Sequence, residues 1–193
     1  MPRVKTFDEE QVLDKALNLF WTKGYHATSI QDLVSHLGIN RASLYDTFGD
    51  KKKLFDRAFQ KYREHNRMQI EKFLSHESDV RNGILNLFEL SLRESEQDKD
   101  RKGCFVVNST TELIPGDKQI EEALDNNRKI FENIFYQYLL KGQKEGQIGK
   151  DKDLKSIATL LFTLYNGLKV VAKIRPDKNH LMQGIHSAIK LLD

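Results

Sequence analysis

The sequence predicts an all-α fold, and three observations carry that expectation. Apolar residues recur three or four positions apart along almost the whole chain, the spacing of one helical face. The three prolines, Pro2, Pro115 and Pro176, fall between the periodic stretches and not inside them. Capping residues and glycines punctuate the pattern where helices would begin and stop. With 193 residues, 39% of them hydrophobic, the chain can bury a sizeable core.

The first helix has the clearest start. Asp8 stands as its N-cap with Gln11 three positions on, while Phe7 and Val12 occupy the positions of a hydrophobic staple. Leu13, Ala16, Leu17, Phe20 and Trp21 then make one apolar face, and Gly24 ends it. Thr28 with Gln31 reads as a second capping signature, opening a short helix that turns Ile30, Leu33, Val34 and Leu37 inward and stops at Gly38. Asn40 caps a third helix over 41–48, with Leu44 and Phe48 on its core side and Arg41, Ala42, Ser43 and Asp46 facing out. Gly49 ends it, and Asp50 caps a long helix over about 51–74.

Periodicity places further helices over about 80–96, 103–113, 118–145, 153–173 and 178–191, about nine in all. The run Cys-Phe-Val-Val within 103–113 suits a strand equally well. The three glycines of 142–150 follow no strand and lack dinucleotide-loop spacing, so they read as a helix end and a turn.

Charge and composition narrow the function. The formal charge of +3 is concentrated at one end: residues 1–63 hold 11 Lys+Arg against 8 Asp+Glu, and residues 64–193 hold 20 of each. A local excess of that size suits a polyanion partner or an ordinary solvated surface. The lone Cys104 can form no internal disulfide, the apolar stretches stop short of a membrane span, and "MPRVKTFDEE" has no leader-like apolar run. A cytoplasmic protein without a membrane partner is expected. No nucleophile, base and orienting group share a recognisable spacing, and the histidines pair on no helical face with a carboxylate. No enzyme activity, cofactor or metal is therefore expected.

Two short helices joined through "LGIN", the second presenting small and polar side chains, make a helix-turn-helix arrangement. A major groove about 12 Å wide admits one such helix, and small residues at its exposed N-terminal end let the backbone come close to base edges. Lys51, in the first turn of the next helix, can meet a phosphate together with that helix's unpaired N–H groups.

The stretch 24–59, "GYHATSIQDLVSHLGINRASLYDTFGDKKKLFDRAF", resembles the N-terminal DNA-binding domain of the tetracycline-repressor (TetR) family of bacterial transcriptional regulators. Gly24-Tyr25, Thr28-Ser29-Ile30, Gly38-Ile39, Leu44-Tyr45, Phe48-Gly49 and Lys51 with Leu54 all stand at the family's spacing. The resemblance implies a three-helix DNA-binding domain over 1–50 and a larger helical effector-binding and dimerisation domain over 51–193, the helix 51–74 joining them. It implies that Thr28 and Ser29 open the second helix against the DNA backbone. It also implies that Arg41, Ala42, Ser43 and Tyr45 meet the groove and that Thr47 and Lys51 hold phosphate, with Asn40 counted among the DNA-binding residues. The chain departs from the pattern at Asp46, where many members carry an aromatic, histidine or basic residue. Lys52 and Lys53 are expected on a solvated face.

The implied partners are a palindromic double-stranded operator, a small-molecule effector and a second copy of the chain. Helix 153–173 has an apolar surface too wide for one cover, so Ile157, Leu161, Leu164 and Leu168, with Leu181, Ile185, Ala188 and Ile189 of the last helix, are expected at the dimer interface. Phe88, Leu92, Phe131, Phe135, Tyr138 and Tyr165, with the polar Asn108 and Asn166, are candidates to line an effector pocket. Cys104 joins them as a small core residue or as a thiol sensor of oxidants or electrophiles. The functions to separate are therefore an inducible repressor, a thiol-sensing regulator and a non-inducible architectural DNA binder.

Overall fold

The structure is a computed structural model and describes residues 7–192; Met1–Thr6, part of the stretch read above for a leader, and Asp193 lie outside the described residues. Nine α-helices and no strand occur among the described residues: α1 (Glu9–Lys23), α2 (Ile30–Leu37), α3 (Arg41–Phe48), α4 (Lys51–Ser75), α5 (Val80–Gln97), α6 (Phe105–Leu113), α7 (Lys118–Lys144), α8 (Leu154–Val171) and α9 (Lys178–Ile189). Single 3₁₀ turns follow α8 and α9. Eight of the nine helices begin at an Asp, Ser or Asn whose side chain accepts a first-turn N–H, which is why the sequence marks their starts so well.

Two expectations need correction here. The cap of α2 is Ser29 and not Thr28: Asp32 N–H donates to the Ser29 hydroxyl at 3.0 Å, and Ser29 N–H returns a bond to the Asp32 carboxylate at 2.9 Å. The backbone N–H and then the hydroxyl of Ser29, helped by Lys23 at 3.0 Å, hold the Asp32 carboxyl well below the usual range. Thr28 is fully buried, its hydroxyl donating to the Gly24 carbonyl at 2.6 Å, so no face of it is open to DNA. The segment 105–113 is helix, and its threonine hydroxyls bond back to carbonyls one turn earlier.

Two apolar cores lie along α4. The first gathers α1, α2 and α3 around Leu54, Phe55, Ala58 and Phe59, and also takes in Phe105, Val106 and Leu113 of α6. Phe105 meets the rings of Phe55, Phe59 and Tyr62 edge-on at 5.6, 5.7 and 5.6 Å, contacts of about 0.5–1.5 kcal/mol each beyond area burial. The second core packs the far half of α4, through Ile70 and Leu74, against α5, α7, α8 and α9. The one helix α4 thus belongs to both cores.

Leu154–Ile174 is long and apolar enough to cross a membrane by length and composition, contrary to the expectation that no stretch reaches that limit. Asn166 and Lys169 dilute its hydropathy too little to prevent this. In the fold it is a core helix, burying Ala158, Leu161, Tyr165, Leu168 and Ala172.

Candidate nucleic-acid interface and effector cavity

The side chains of α3 divide as its periodicity requires. Leu44 and Phe48 are buried, while Arg41, Ala42, Tyr45 and Asp46 are exposed. Asn40 is committed to the cap, its Oδ1 accepting Ser43 N–H at 2.8 Å. The Arg41 guanidinium lies over the Tyr45 ring at 5.8 Å, so the two project from α3 as one unit. Thr47 is half-buried on the same helix.

At the start of α4, Asp50 accepts Lys53 N–H at 2.7 Å, and Lys51 sets its ammonium 4.4 Å above the Tyr25 ring. Burial pushes the Lys51 pKa down, against the upward pull of the Glu112 and Asp32 carboxylates. Lys52 does not belong to a solvated face: it pairs with Asp56 one turn on and with Asp117, the N-cap of α7, at 3.1 Å. Arg41, Lys51 and Lys53 form no salt bridge with any described residue, and they stand beside the outward face of α3 in sequence and at the helix end next to it. These three cations are thus open to a polyanion beside α3.

The helix-turn-helix unit is gripped by both ends of α6, which shares its core. Trp21 Nε1–H donates to the Gly103 carbonyl at 2.9 Å, just before α6. Near the end of α6, the Glu112 carboxylate accepts Tyr25 N–H at 3.0 Å and His26 N–H at 2.7 Å, two donors of the turn after Gly24. Gly24 itself has φ near +86°, and a Cβ there would press on the Glu112 carboxylate. The sequence carries no signal for this clamp, because it joins backbone groups to a lone acid 86 residues away.

Comparison with known proteins agrees with this geometry. Residues 12–58 match the profile of the bacterial regulatory proteins of the tetR family, and residues 82–188 match a tetracyclin repressor-like C-terminal domain. The chain belongs to the TetR family. It is 34% identical, over the full length of both chains, to the uncharacterized HTH-type transcriptional regulator YezE of Bacillus subtilis. It is 30% identical to the HTH-type transcriptional repressor ComR of Escherichia coli, across 98% of this chain and 90% of that one. A cysteine-substituted form of the TetR-family regulator CifR, solved with 26-bp double-strand operator DNA, superposes with a TM-score of 0.87 at 26% identity, covering 99% of this chain and 100% of that one. This TetR chain is accordingly a DNA-binding transcriptional regulator.

The residues expected to line an effector pocket separate into two groups in this TetR fold. Cys104, Phe131, Tyr165 and Asn166 surround one small internal cavity with Asn66, Val106, Asn127, Phe162 and Lys169; its volume of about 10 Å³ holds a single water. Phe88 and Phe135 instead pack edge-on against the far side of Tyr165, at 5.6 and 6.3 Å, inside closed core. Leu92 is buried beside Ala172. Tyr138 donates to the Asp79 carbonyl at 3.3 Å and fills the space over Gly83, and burial raises its phenol to about 12. Asn108 is a strut, donating to the Lys102 carbonyl at 2.7 Å and accepting from Lys173 Nζ at 3.3 Å. None of these five reaches the cavity.

Cys104, the buried N-cap residue of α6, accepts from the Tyr62 hydroxyl at 3.7 Å. Burial, with the neighbouring thiol second, pushes the Tyr62 phenol well above its ordinary range. The Lys169 ammonium sits 4.4 Å over the Tyr165 ring; burial works against it, but the Tyr165 phenol and the Cys104 thiol outweigh burial and hold it above the usual lysine range. Asn66, Asn127 and Lys169 line the cavity but are not among the residues that the sequence singled out for a pocket. Polar groups on the inward face of a helix are the signal that would have found them.

The expected dimer residues also separate. Leu161, Leu168, Ile185 and Ile189 are buried within their own chain, which corrects their assignment to an interface. Ile157, Leu164, Leu181 and Ala188 are half-buried at the surface. On α8, α9 and the turns after them, the large apolar side chains left exposed are Val170 (50% exposed), Val171 (39%), Ile174 (77%) and Leu191 (50%); elsewhere Tyr45, Met68 and Leu90 are exposed as well.

Proposed function

We propose that the chain is a homodimeric, sequence-specific repressor, acting in the cytoplasm, that leaves a palindromic operator when a small molecule wedges open the cavity beside α4, which as it stands has room for about one water. The observation that carries this reading is the course of α4. It begins at Lys51, beside the recognition face of α3, and its Asn66 lines the internal cavity one core away. A ligand that fills the cavity better when α4 is tilted must weaken DNA binding by the same factor. Coupling of about 1–3 kcal/mol corresponds to roughly 5- to 150-fold release. In this reading residues 1–50 read DNA and residues 51–193 bind effector and partner, α4 joining them.

Arg41, Ala42 and Tyr45 are the proposed base-reading set, Ser29, Asn40 and Ser43 build the helix starts that present it, and Thr47 and Lys51 are the proposed phosphate contacts. Selection of bound fragments from a random DNA pool is expected to return a palindrome with half-sites about 34–36 Å apart. Arg41→Ala is expected to shift the preferred base at one position of each half-site, at about 1–3 kcal/mol. Lys51→Ala is expected to weaken all sequences alike and to flatten the salt dependence. Selected sequences without symmetry, or identical for Arg41→Ala, would refute the assignment.

A second reading, release by thiol modification, is favoured by the position of Cys104 in the cavity wall beneath Tyr62. Any group added to that sulfur exceeds the roughly 10 Å³ available, so α6 has to move. Cys104→Ser is expected to stay on its operator when treated with an alkylating agent; release equal to that of the unsubstituted chain eliminates this reading.

A further inference from the structure

We infer that the groove between α4 and α7 binds the carboxylate of a small amphipathic organic acid, with Arg63 as its anchor. The inference rests on the reading of 51–193 as an effector domain. The groove has a volume of about 290 Å³, near the lower end for small-molecule sites, and its apolar floor comprises Phe59, Ile120, Ile130 and Phe131.

Arg63 rises from the middle of α4 into this groove. Its guanidinium lies 5.6 Å from the Phe59 ring centroid, and its Nε–H donates to Asn127 Oδ1 at 3.3 Å. Asn127 is 6% exposed, so the arginine is aimed by a buried amide. No described carboxylate pairs with Arg63, and its two terminal nitrogens donate to no described acceptor. The other charges lining the groove are held in ion pairs: Asp56 shares Lys52 with Asp117, and Glu64 shares Arg67 with Glu71, while Glu64 also acts on its chain neighbour Arg63 through space. Of the two arginines lining the groove, Arg63 is the one without an ion pair among the described residues, its planar fork open above an aromatic floor.

A guanidinium offers paired parallel donors that match the two oxygens of a carboxylate, and the half-buried setting of Arg63 strengthens the pair. An acid's apolar body lies naturally along Phe59, Ile130 and Phe131. Asn127 and Phe131 also line the internal cavity, so an occupant of the groove bears on the wall of the chamber that α4 shares.

Isothermal calorimetry on the full chain tests this with hexanoate, octanoate, decanoate and phenylacetate, each against its matched primary alcohol. At least one acid is expected to bind, with its alcohol weaker by about tenfold or more, and Arg63→Gln is expected to lose about tenfold or more of the acid's affinity. Arg63→Lys, which keeps the charge without the fork, is expected to fall between them. Helical content and thermal midpoint near those of the unsubstituted chain qualify each variant, and Arg63→Lys decides if Arg63→Gln unfolds. Silence across the four acids, equal binding of acid and alcohol, or undiminished acid binding by the variants overturns the proposal. Acid binding that requires Arg63 but leaves operator affinity unchanged upholds the site and removes the effector reading. Operator release by a ligand whose affinity ignores Arg63 does the reverse.

Discussion

Gly167→Leu is expected to give a folded protein that is a monomer in light scattering at micromolar concentration and has lost about 100-fold or more of its operator affinity. Gly167 and Gly184 lie inside α8 and α9, where glycine costs about 1 kcal/mol relative to alanine. Neither has a reason within its own chain. A Cβ built on either meets nothing within 4 Å, and neither has a positive φ. Gly167 lies on a line with Leu160, Leu164, Val171 and Ile174, and Gly184 on a line with Leu181, Ala188 and Leu191, each at spacings of three and four. A second copy laid along both lines brings its backbone close where the glycines are and covers Ile174 and Leu191, the uncovered ends. Leucine at 167 suits the isolated helix and obstructs that approach. Because the two recognition helices reach their half-sites only as a linked pair, the monomer forfeits the effective concentration of the second. A Gly167→Leu dimer with full operator affinity would remove this interface from consideration.

How far the sequence foretold these features depends on how local their causes are. The bounds of α3 were legible because Asn40 and Gly49 act within one turn of what they terminate. The cap of α2 was misplaced by one residue because Thr28 and Ser29 both can cap; what decides is Asp32 rather than Gln31 as the reciprocal partner, and Thr28 is drawn inward to the Gly24 carbonyl. The wide apolar surface of α8 pointed to two covers, yet periodicity could not say which stripe faces the chain's own core. Leu161 and Leu168 went to the chain's own core and left Leu164 and Gly167 outside. Aromatic content misled the search for a cavity: Phe88 and Phe135 fill space, while polar groups on inward faces, Asn66, Asn127 and Lys169, mark where space was left. The tie between α6 and the helix-turn-helix unit left no trace, since it depends on tertiary packing alone.

Glu112→Ala is expected to loosen that tie and, with it, the transmission of any effector signal. The Glu112 carboxylate accepts two backbone N–H bonds from Tyr25 and His26, and hydrogen bonds to a charged group contribute about 1.5–3 kcal/mol each when sheltered. His26 is exposed, so water replaces part of what is lost, and a net loss of about 2 kcal/mol in urea unfolding is expected. Amide exchange gives the specific readout: the Tyr25 and His26 N–H groups are expected to lose protection in the variant, while amides in the middle of α7 slow or quicken only with global stability. With the clamp gone, Trp21 on Gly103, Lys102 over the Trp21 ring, the shared apolar core and α4 still join α6 to the recognition unit, but the direct tie to the turn after Gly24 is lost. A displacement of α6 then reaches the turn after Gly24 through fewer rigid contacts. A compound that frees the unsubstituted protein from DNA is accordingly expected to free Glu112→Ala less completely at saturation. Glu112→Gln supplies one acceptor oxygen in nearly the same shape and is expected to recover about half the stability difference. Unchanged exchange at Tyr25 and His26 in Glu112→Ala would show that the turn holds itself, and the transmission of movement would then fall to α4 alone.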